Sequence, residues 1–277
     1  MPNGYSLHIG INEVDPNHYA GWSGKLVACE YDAIDMKSIA ANSGYQTTML
    51  HTEDATREKV IANIRAAATA MTAKDIFFLS FSGHGGQITD VNNDEVDRID
   101  ETWCLFDGQL IDDELFRLYA SFPTGSRILV LSDSCHSGTV VRAFNNVRTL
   151  NALQRGVVTK RASNPKRLRF MPREMSVDVY RKNKAAYDRL QKKRRPKLKA
   201  TVQLISGCQD NQYSEDGDYN GVFTAALLDV WSSGSFDGDY MNFHRKIAQK
   251  MPVHQSPNHL VFGGSPDDFR EQAPFQI

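Results

Sequence analysis

Two short apolar stretches, each followed at once by small and polar residues, constrain the fold of this chain most. The first, at residues 75–81, runs into Ser-Gly-His-Gly-Gly at 82–86, and the second, at 127–132, runs into Asp-Ser-Cys-His-Ser-Gly at 133–138. An apolar run of this length between turn-forming residues is typical of a strand buried in a parallel sheet. In open α/β sheets, chemistry collects at the carboxyl ends of the strands. The sequence therefore predicts two strands of one sheet with reactive side chains at the same edge.

Cys135 and His84 are the candidate nucleophile and general base at that edge. They lie 51 residues apart, which leaves room for a helical crossover between neighbouring strands and lets the two side chains meet. A thiol beside an imidazole is suited to acyl transfer, because the histidine takes the thiol proton and later gives it to the leaving amine. We expect His84 to be exposed at its strand end, and the N–H groups of Gly85 and Cys135 to stabilise the oxyanion. The alternative for Cys135 is an inert buried thiol, and the adjacent His136 is expected to be structural.

The two motifs together resemble the catalytic motifs of the metacaspases, which are cysteine peptidases with the caspase fold. The resemblance extends through residues 26–33, 111–114 and 205–210, and covers nearly the whole chain except roughly residues 142–200. It implies the caspase–haemoglobinase fold, an α/β fold whose mainly parallel central sheet has helices on both faces. It also implies a large part at 1–145, a basic insert at 146–200, and a small part at 201–277 that completes the same sheet. The Gln-Ala that precedes the nucleophile of animal caspases is absent, which argues against specificity for Asp.

The resemblance to metacaspases implies that two carboxylates line the pocket for the residue before the scissile bond. Asp133 precedes Cys135 by two positions, and side chains at i and i+2 of an extended segment share a face. The same argument places Ser82 on the side of His84, and the resemblance adds Cys29 and Asp32 to the pocket. The alternative for Asp32 is an acid that stabilises a helix N-terminus. Such a pocket predicts cleavage after Arg or Lys, with Arg preferred because a guanidinium binds a carboxylate through two N–H groups.

An acidic cluster made of Asp97, Asp100, Asp112 and Asp113 follows the His84 motif. Calcium takes about six to eight oxygen ligands, many of them from carboxylates, and calcium-dependent metacaspases resemble this region. Seven residues after the nucleophile, where calcium-binding relatives often have Asp, this chain has Arg142. Calcium as an activator and a solvated acidic loop therefore both stay open. The chemistry itself needs no cofactor, and four cysteines without a Cys-x-x-Cys pair argue against zinc.

Positive charge is concentrated in one part of the chain. Residues 142–199 contain 19 Lys and Arg and three acids, a net charge of +16, whereas the whole chain has a net charge of −1. We expect this stretch to be largely exposed, with some helix at 177–195, and to be a region of self-cleavage, because it brings basic residues near an acidic pocket. The alternative functions are a nucleic-acid-binding protein that uses the insert to contact phosphates, and an inactive caspase-fold scaffold.

The remaining composition sets the broad class of protein. Hydrophobic residues make up 41% and charged residues 23% of the chain, as is usual for a globular protein. No apolar run approaches the ~20 residues that cross a membrane, and the first residues lack the pattern of a signal peptide. We therefore expect a cytoplasmic monomer without a membrane partner. Its partners are expected to be protein or peptide substrates with Arg or Lys before the scissile bond.

Overall fold

The computed structural model describes residues 1–91, 99–135, 168–191, 196–209 and 212–277, and these form nine strands and seven α-helices. The strands are β1 (Gly4–Gly10), β2 (Gln46–His51), β3 (Ile76–Ser82), β4 (Gly85–Thr89), β5 (Ile99–Leu105), β6 (Gly108–Ile111), β7 (Arg127–Asp133), β8 (Thr201–Ser206) and β9 (Asn258–Gly263). The helices are α1 (Cys29–Asn42), α2 (Arg57–Ala70), α3 (Asp112–Tyr119), α4 (Arg173–Gln191), α5 (Val222–Trp231), α6 (Tyr240–Lys250) and α7 (Pro266–Arg270).

The central sheet has six strands in the order β2-β1-β3-β7-β8-β9. All neighbouring pairs are parallel except β8 and β9. The two predicted strands, β3 and β7, are neighbours, and their last residues, Ser82 and Asp133, are partners in the register. Every residue of β3 is buried, which explains why its sequence is apolar on both faces. The prediction that both motifs end at one edge of one sheet is confirmed.

Helices cover both faces of this sheet. Successive side chains of each strand point to opposite sides, so each strand contributes to two separate cores. Phe77 and Leu79 of β3 belong to one core cluster, which also includes buried side chains of α2, α3 and α4. Ile76 and Phe78 belong to the other, which includes buried side chains of α1, α5, α6 and α7. The fold is therefore the predicted α/β sandwich, with the site-bearing strands at its centre.

Two features place the rest of the site. A small antiparallel sheet, in the order β4-β5-β6, starts directly after the β3 strand end. Helix α4 begins at Arg173, earlier than the helix expected at 177–195, and its Val179 and Tyr187 are buried in the core.

No helix within the described ranges is long and apolar enough to cross a membrane.

Candidate active site

Cys135 and His84 lie at the same edge of the central sheet. Each follows its strand by two residues, since β7 ends at Asp133 and β3 at Ser82. The backbones touch at this point, because Gly83 N–H donates to the carbonyl oxygen of Asp133 at 3.4 Å. An added Cβ on Gly85 would lie 1.8 Å from the carbonyl oxygen of Cys135, so only glycine allows the two strand ends to approach this closely.

Three buried carboxylates form an acidic pocket beside these residues. Asp32 lies in the first turn of α1, Asp133 ends β7, and Asp216 lies on the segment between β8 and α5. Each is held by donors of its own. Asp32 accepts from the Ser82 hydroxyl at 2.7 Å. Asp133 accepts from Thr224 Oγ1 at 2.8 Å, and Asp216 from two backbone N–H groups of the segment before α1.

The occupant of this pocket is the side chain of Arg169, from the basic insert. Its guanidinium is fully buried and lies 2.7 Å from Asp32, 3.0 Å from Asp133 and 2.9 Å from Asp216. It also donates to Ser82 Oγ at 2.8 Å. Burial raises the pKa of Asp32 to about 6, and the neighbouring Arg169 guanidinium opposes this rise. One guanidinium is therefore surrounded by three carboxylates that the fold holds in fixed positions.

The backbone of the same segment lies along the cleft, where Leu168 and Phe170 form isolated bridges with Glu215 and Gly85. The carbonyl oxygen of Arg169 accepts from Gly85 N–H at 3.0 Å and from Cys135 N–H at 3.1 Å. Arg169 N–H donates to the carbonyl oxygen of Ser214 at 2.9 Å, and Met171 N–H donates to that of Gly85 at 2.8 Å. The two N–H groups predicted to form the oxyanion hole thus converge on one carbonyl. The peptide bond between Arg169 and Phe170 lies directly beside Cys135.

His84 is buried, so the expectation of an exposed histidine is wrong. The ring packs against Trp22, with centroids 4.7 Å apart, and Nε2 donates to the carbonyl oxygen of Gly24 at 2.7 Å. The loop before α1 folds over the strand end, which the strand pattern alone does not reveal. Burial lowers the pKa of His84 to about 4, while the Gly24 carbonyl and the Phe170 backbone oppose this. Nδ1 has no hydrogen-bond partner among the described residues, so the neutral ring offers it as a proton acceptor.

All four cysteines are buried and none forms a disulfide. Cys135 Sγ accepts from Ser214 N–H at 2.9 Å. Burial and the neighbouring Cys208 raise the pKa of Cys135, so with the cleft filled the thiol is neutral. Cys29 lies at the start of α1, where burial raises the pKa of its thiol and Arg169 opposes that. Cys29 is thus near the pocket, as the resemblance implies.

The described members of the predicted calcium site lie on two different elements, β5 and α3. Asp97 lies outside the described residues, as does His136. Asp100 is buried on β5, and Asp112 and Asp113 are buried at the start of α3, where Asp113 pairs with Arg117 at 3.7 Å. Among the described residues no three His, Cys, Asp or Glu side chains are arranged to hold a metal ion. Calcium as an activator therefore stays a prediction.

Sequence reasoning did not identify Asp216 or Arg169. Asp216 lies in an acidic loop that follows no strand-end motif, so only its proximity to the other two carboxylates reveals it. Arg169 is one of 19 basic residues in a stretch expected to be exposed, and at this position that expectation is wrong. Its burial has a physical reason, because three carboxylates and two backbone donors bind it.

Comparisons with known proteins identify the family of this chain. A family model described as the caspase domain matches residues 9–274. The chain therefore belongs to the caspase-domain family of peptidases. Within it, Metacaspase-1 of Schizosaccharomyces pombe is 29% identical over 249 residues, which is 80% of this chain and 57% of that protein. Metacaspase-1 of Mycosarcoma maydis is 30% identical over 247 residues, 80% of this chain and 60% of that protein. These relatives confirm the resemblance to metacaspases, and the chain spans about three fifths of their length.

Solved structures show the same fold. A protein of Geobacter sulfurreducens is 48% identical, with a TM-score of 0.85 over 100% of this chain and 99% of that one. Caspase-1 of Spodoptera frugiperda is 11% identical, with a TM-score of 0.54 over 95% of this chain and 86% of that one. The second likeness concerns the fold alone, and it matches the predicted caspase–haemoglobinase class.

Proposed function

We propose that this chain is a cysteine endopeptidase that cleaves after Arg, and more slowly after Lys, and that it cuts itself between Arg169 and Phe170. One observation carries the proposal: the Arg169 side chain fills the acidic pocket while its carbonyl oxygen accepts from Gly85 and Cys135 N–H. A substrate needs both contacts at once, one to select the side chain and one to stabilise the transition state.

The proposed reaction is acyl transfer through Cys135. His84 takes the thiol proton as Sγ attacks the carbonyl carbon of Arg169, and the developing oxyanion is held by the two N–H groups already directed at it. The C–N bond breaks as His84 gives the proton to the amine of Phe170. Water then releases the acyl group from sulfur. The neutral states of Cys135 and His84 in the filled cleft fit a proton transfer that is concerted with attack.

The pocket supports specificity for a cation of planar shape. Arg169 reaches Asp216 through both Nε, at 3.3 Å, and Nη2, at 2.9 Å. An ammonium cannot make this pair of contacts from one plane, so Lys is expected to bind more weakly. Gly221 forms one wall, where an added Cβ would lie 2.5 Å from both Arg169 Nη1 and Asp133 Oδ2. An acidic side chain in this pocket would meet like charge without water.

Self-cleavage is proposed to precede the cleavage of other proteins. While Arg169 is attached on both sides, it occupies the pocket that a second substrate needs. Cutting after Arg169 lets the upstream end leave, which opens the pocket.

Fluorogenic peptides that differ only in the residue before the leaving group test the function. Arg, Lys, Gln and Asp versions are compared for the wild-type protein and for Cys135→Ala. We expect Arg to be cleaved faster than Lys, both at least 100-fold faster than Gln or Asp, and none of them by the variant. Faster cleavage after Asp than after Arg would refute the pocket assignment, and substantial activity in Cys135→Ala would refute the peptidase mechanism.

A further inference from the structure

The segment just after the proposed cut is fixed to the body of the protein. Met171 is 2% exposed and its N–H donates to the carbonyl oxygen of Gly85 at 2.8 Å. The ring of Phe170 packs against Tyr213, with centroids 4.9 Å apart. None of these contacts depends on the bond between Arg169 and Phe170.

Helix α4 anchors the same segment from its other side. Val179 and Tyr187 are buried in the core, and the terminal Gln191 is held at both ends of its amide. Its Nε2 donates to the carbonyl oxygen of Thr89 at 3.0 Å, and its Oε1 accepts from Val91 N–H at 2.8 Å. A chain that is fixed at Met171 and again along α4 keeps Phe170 in the cleft after the bond is cut.

We infer that the cleaved protein keeps the new α-amine of Phe170 beside Cys135 and uses it as an acyl acceptor, so that it joins a peptidyl-arginine to its own chain. This inference rests on the proposed function. It makes self-cleavage reversible and adds a ligase activity to the peptidase. The acyl donor is any peptide or ester of arginine whose side chain enters the vacated acidic pocket.

The proposed ligation is two acyl transfers, first to Cys135 and then to the amine of Phe170, and neither changes an oxidation state. With an arginine ester as donor, Cys135 attacks the ester carbonyl as His84 takes the thiol proton. The C–O bond then breaks, and His84 gives that proton to the leaving alcohol. The neutral amine of Phe170 then attacks the thioester carbonyl and gives a proton to His84. A C–N bond forms, the C–S bond breaks, and His84 returns the proton to sulfur, which restores the thiol.

The held amine competes with water because it is intramolecular. A positioned nucleophile reacts as if present at a very high concentration, whereas one that diffuses freely must first be captured. An α-amine has a pKa of about 8, so a large fraction is neutral at mildly alkaline pH.

Mass spectrometry of the self-cleaved protein incubated with benzoyl-arginine methyl ester tests the inference. This donor has a small leaving group, so it needs no space on the side that Phe170 occupies. We expect the fragment that starts at Phe170 to gain the mass of benzoyl-arginine, at least tenfold more than the fragment that starts at Met1. Met1 is the internal control, because it is exposed and precedes the start of β1, at the opposite edge of the sheet from Cys135.

The outcomes separate this inference from the function on which it rests. Donor hydrolysis without any gain of mass at Phe170 overturns the inference and leaves the peptidase intact. Equal acylation of Phe170 and Met1 also overturns it, since the cleft then plays no part. Absence of both self-cleavage and donor turnover overturns the proposed function and the inference together. In Met171→Pro, which removes the N–H bonded to Gly85, the ratio of ligated to hydrolysed donor should fall at least threefold.

Discussion

Asp133 is the residue on which the proposed specificity depends most. Besides its ion pair with Arg169, it accepts from Ser214 Oγ at 2.6 Å and from Thr224 N–H at 3.1 Å. Because the pocket is buried, truncating this carboxylate leaves the bound guanidinium partly unpaired. We expect Asp133→Ala to cost roughly 2–5 kcal/mol of transition-state binding, with Asp32→Ala acting in the same direction.

The measurement for Asp133→Ala is kcat/KM for an Arg peptide. Asp229→Ala is the matched control, because Asp229 lies on α5 with an exposed side chain. An equal loss in both variants would show that the effect is general destabilisation rather than loss of a pocket carboxylate.

At the residue scale, strand alternation was enough to place Asp133 on the face of Cys135, because that argument is local. Strand alternation could not identify Asp216, since the position of Asp216 depends on how the loop after β8 folds against α1. Sequence patterns could not identify Arg169 for a different reason. Its neighbours in sequence are also basic, and only the three-dimensional fit selects one of them.

At the scale of elements, the fragments left by self-cleavage are expected to stay together. β7 precedes the cut and β8 follows it, and the two pair along their length from Arg127 with Thr201 to Ser132 with Ser206. We expect the two fragments to elute as one species on size exclusion and to separate only in denaturant. Separation under native conditions would contradict the shared sheet as the link between them.

The acidic residues around β5 and α3 carry the calcium prediction. Calcium, if used, is expected to act by ordering the loop beside the cleft, with Asp97, Asp100, Asp112 and Asp113 as the candidate ligands. Activity is measured as calcium is titrated into metal-stripped protein, with magnesium as the control. Full activity in chelator that millimolar calcium leaves unchanged would remove calcium from the account.

Helix boundaries show how far secondary structure can be predicted from the sequence. The Thr56 side chain accepts from Lys59 N–H at the start of α2, as is usual for a Thr that precedes a helix. Helix α4 was expected at 177–195 and is found at Arg173–Gln191, directly after Pro172. Its sequence is strongly polar, so its position is fixed by tertiary contacts of Val179, Tyr187 and Gln191.

For the whole molecule, histidines whose pKa is lowered in the folded state predict loss of stability in mild acid. Burial lowers the pKa of His8 to about 3, of His84 to about 4 and of His259 to about 3, from an ordinary value of 6.5. Below pH 6.5 the unfolded chain therefore binds more protons than the folded one, so the free energy of unfolding falls as pH falls. Each group contributes up to about 1.4 kcal/mol per pH unit. Asp32, with its raised pKa, acts in the opposite direction but is only one group.

Thermal unfolding of Cys135→Ala between pH 7 and pH 5 measures this dependence without self-cleavage. Tm should fall with pH, and His8→Asn should make this fall shallower, because it removes one of the groups whose pKa is lowered on folding. A Tm that is flat or rises towards pH 5 would contradict the burial of neutral histidines.

The central claim is that this protein binds its own Arg169 as a substrate. It is tested most directly by determining the chain ends of the purified wild-type protein by mass spectrometry, beside Cys135→Ala. We expect a fragment that ends at Arg169 and one that begins at Phe170 in the wild type, and an intact chain in the variant. An intact wild-type chain, or the same cut in Cys135→Ala, would contradict the claim.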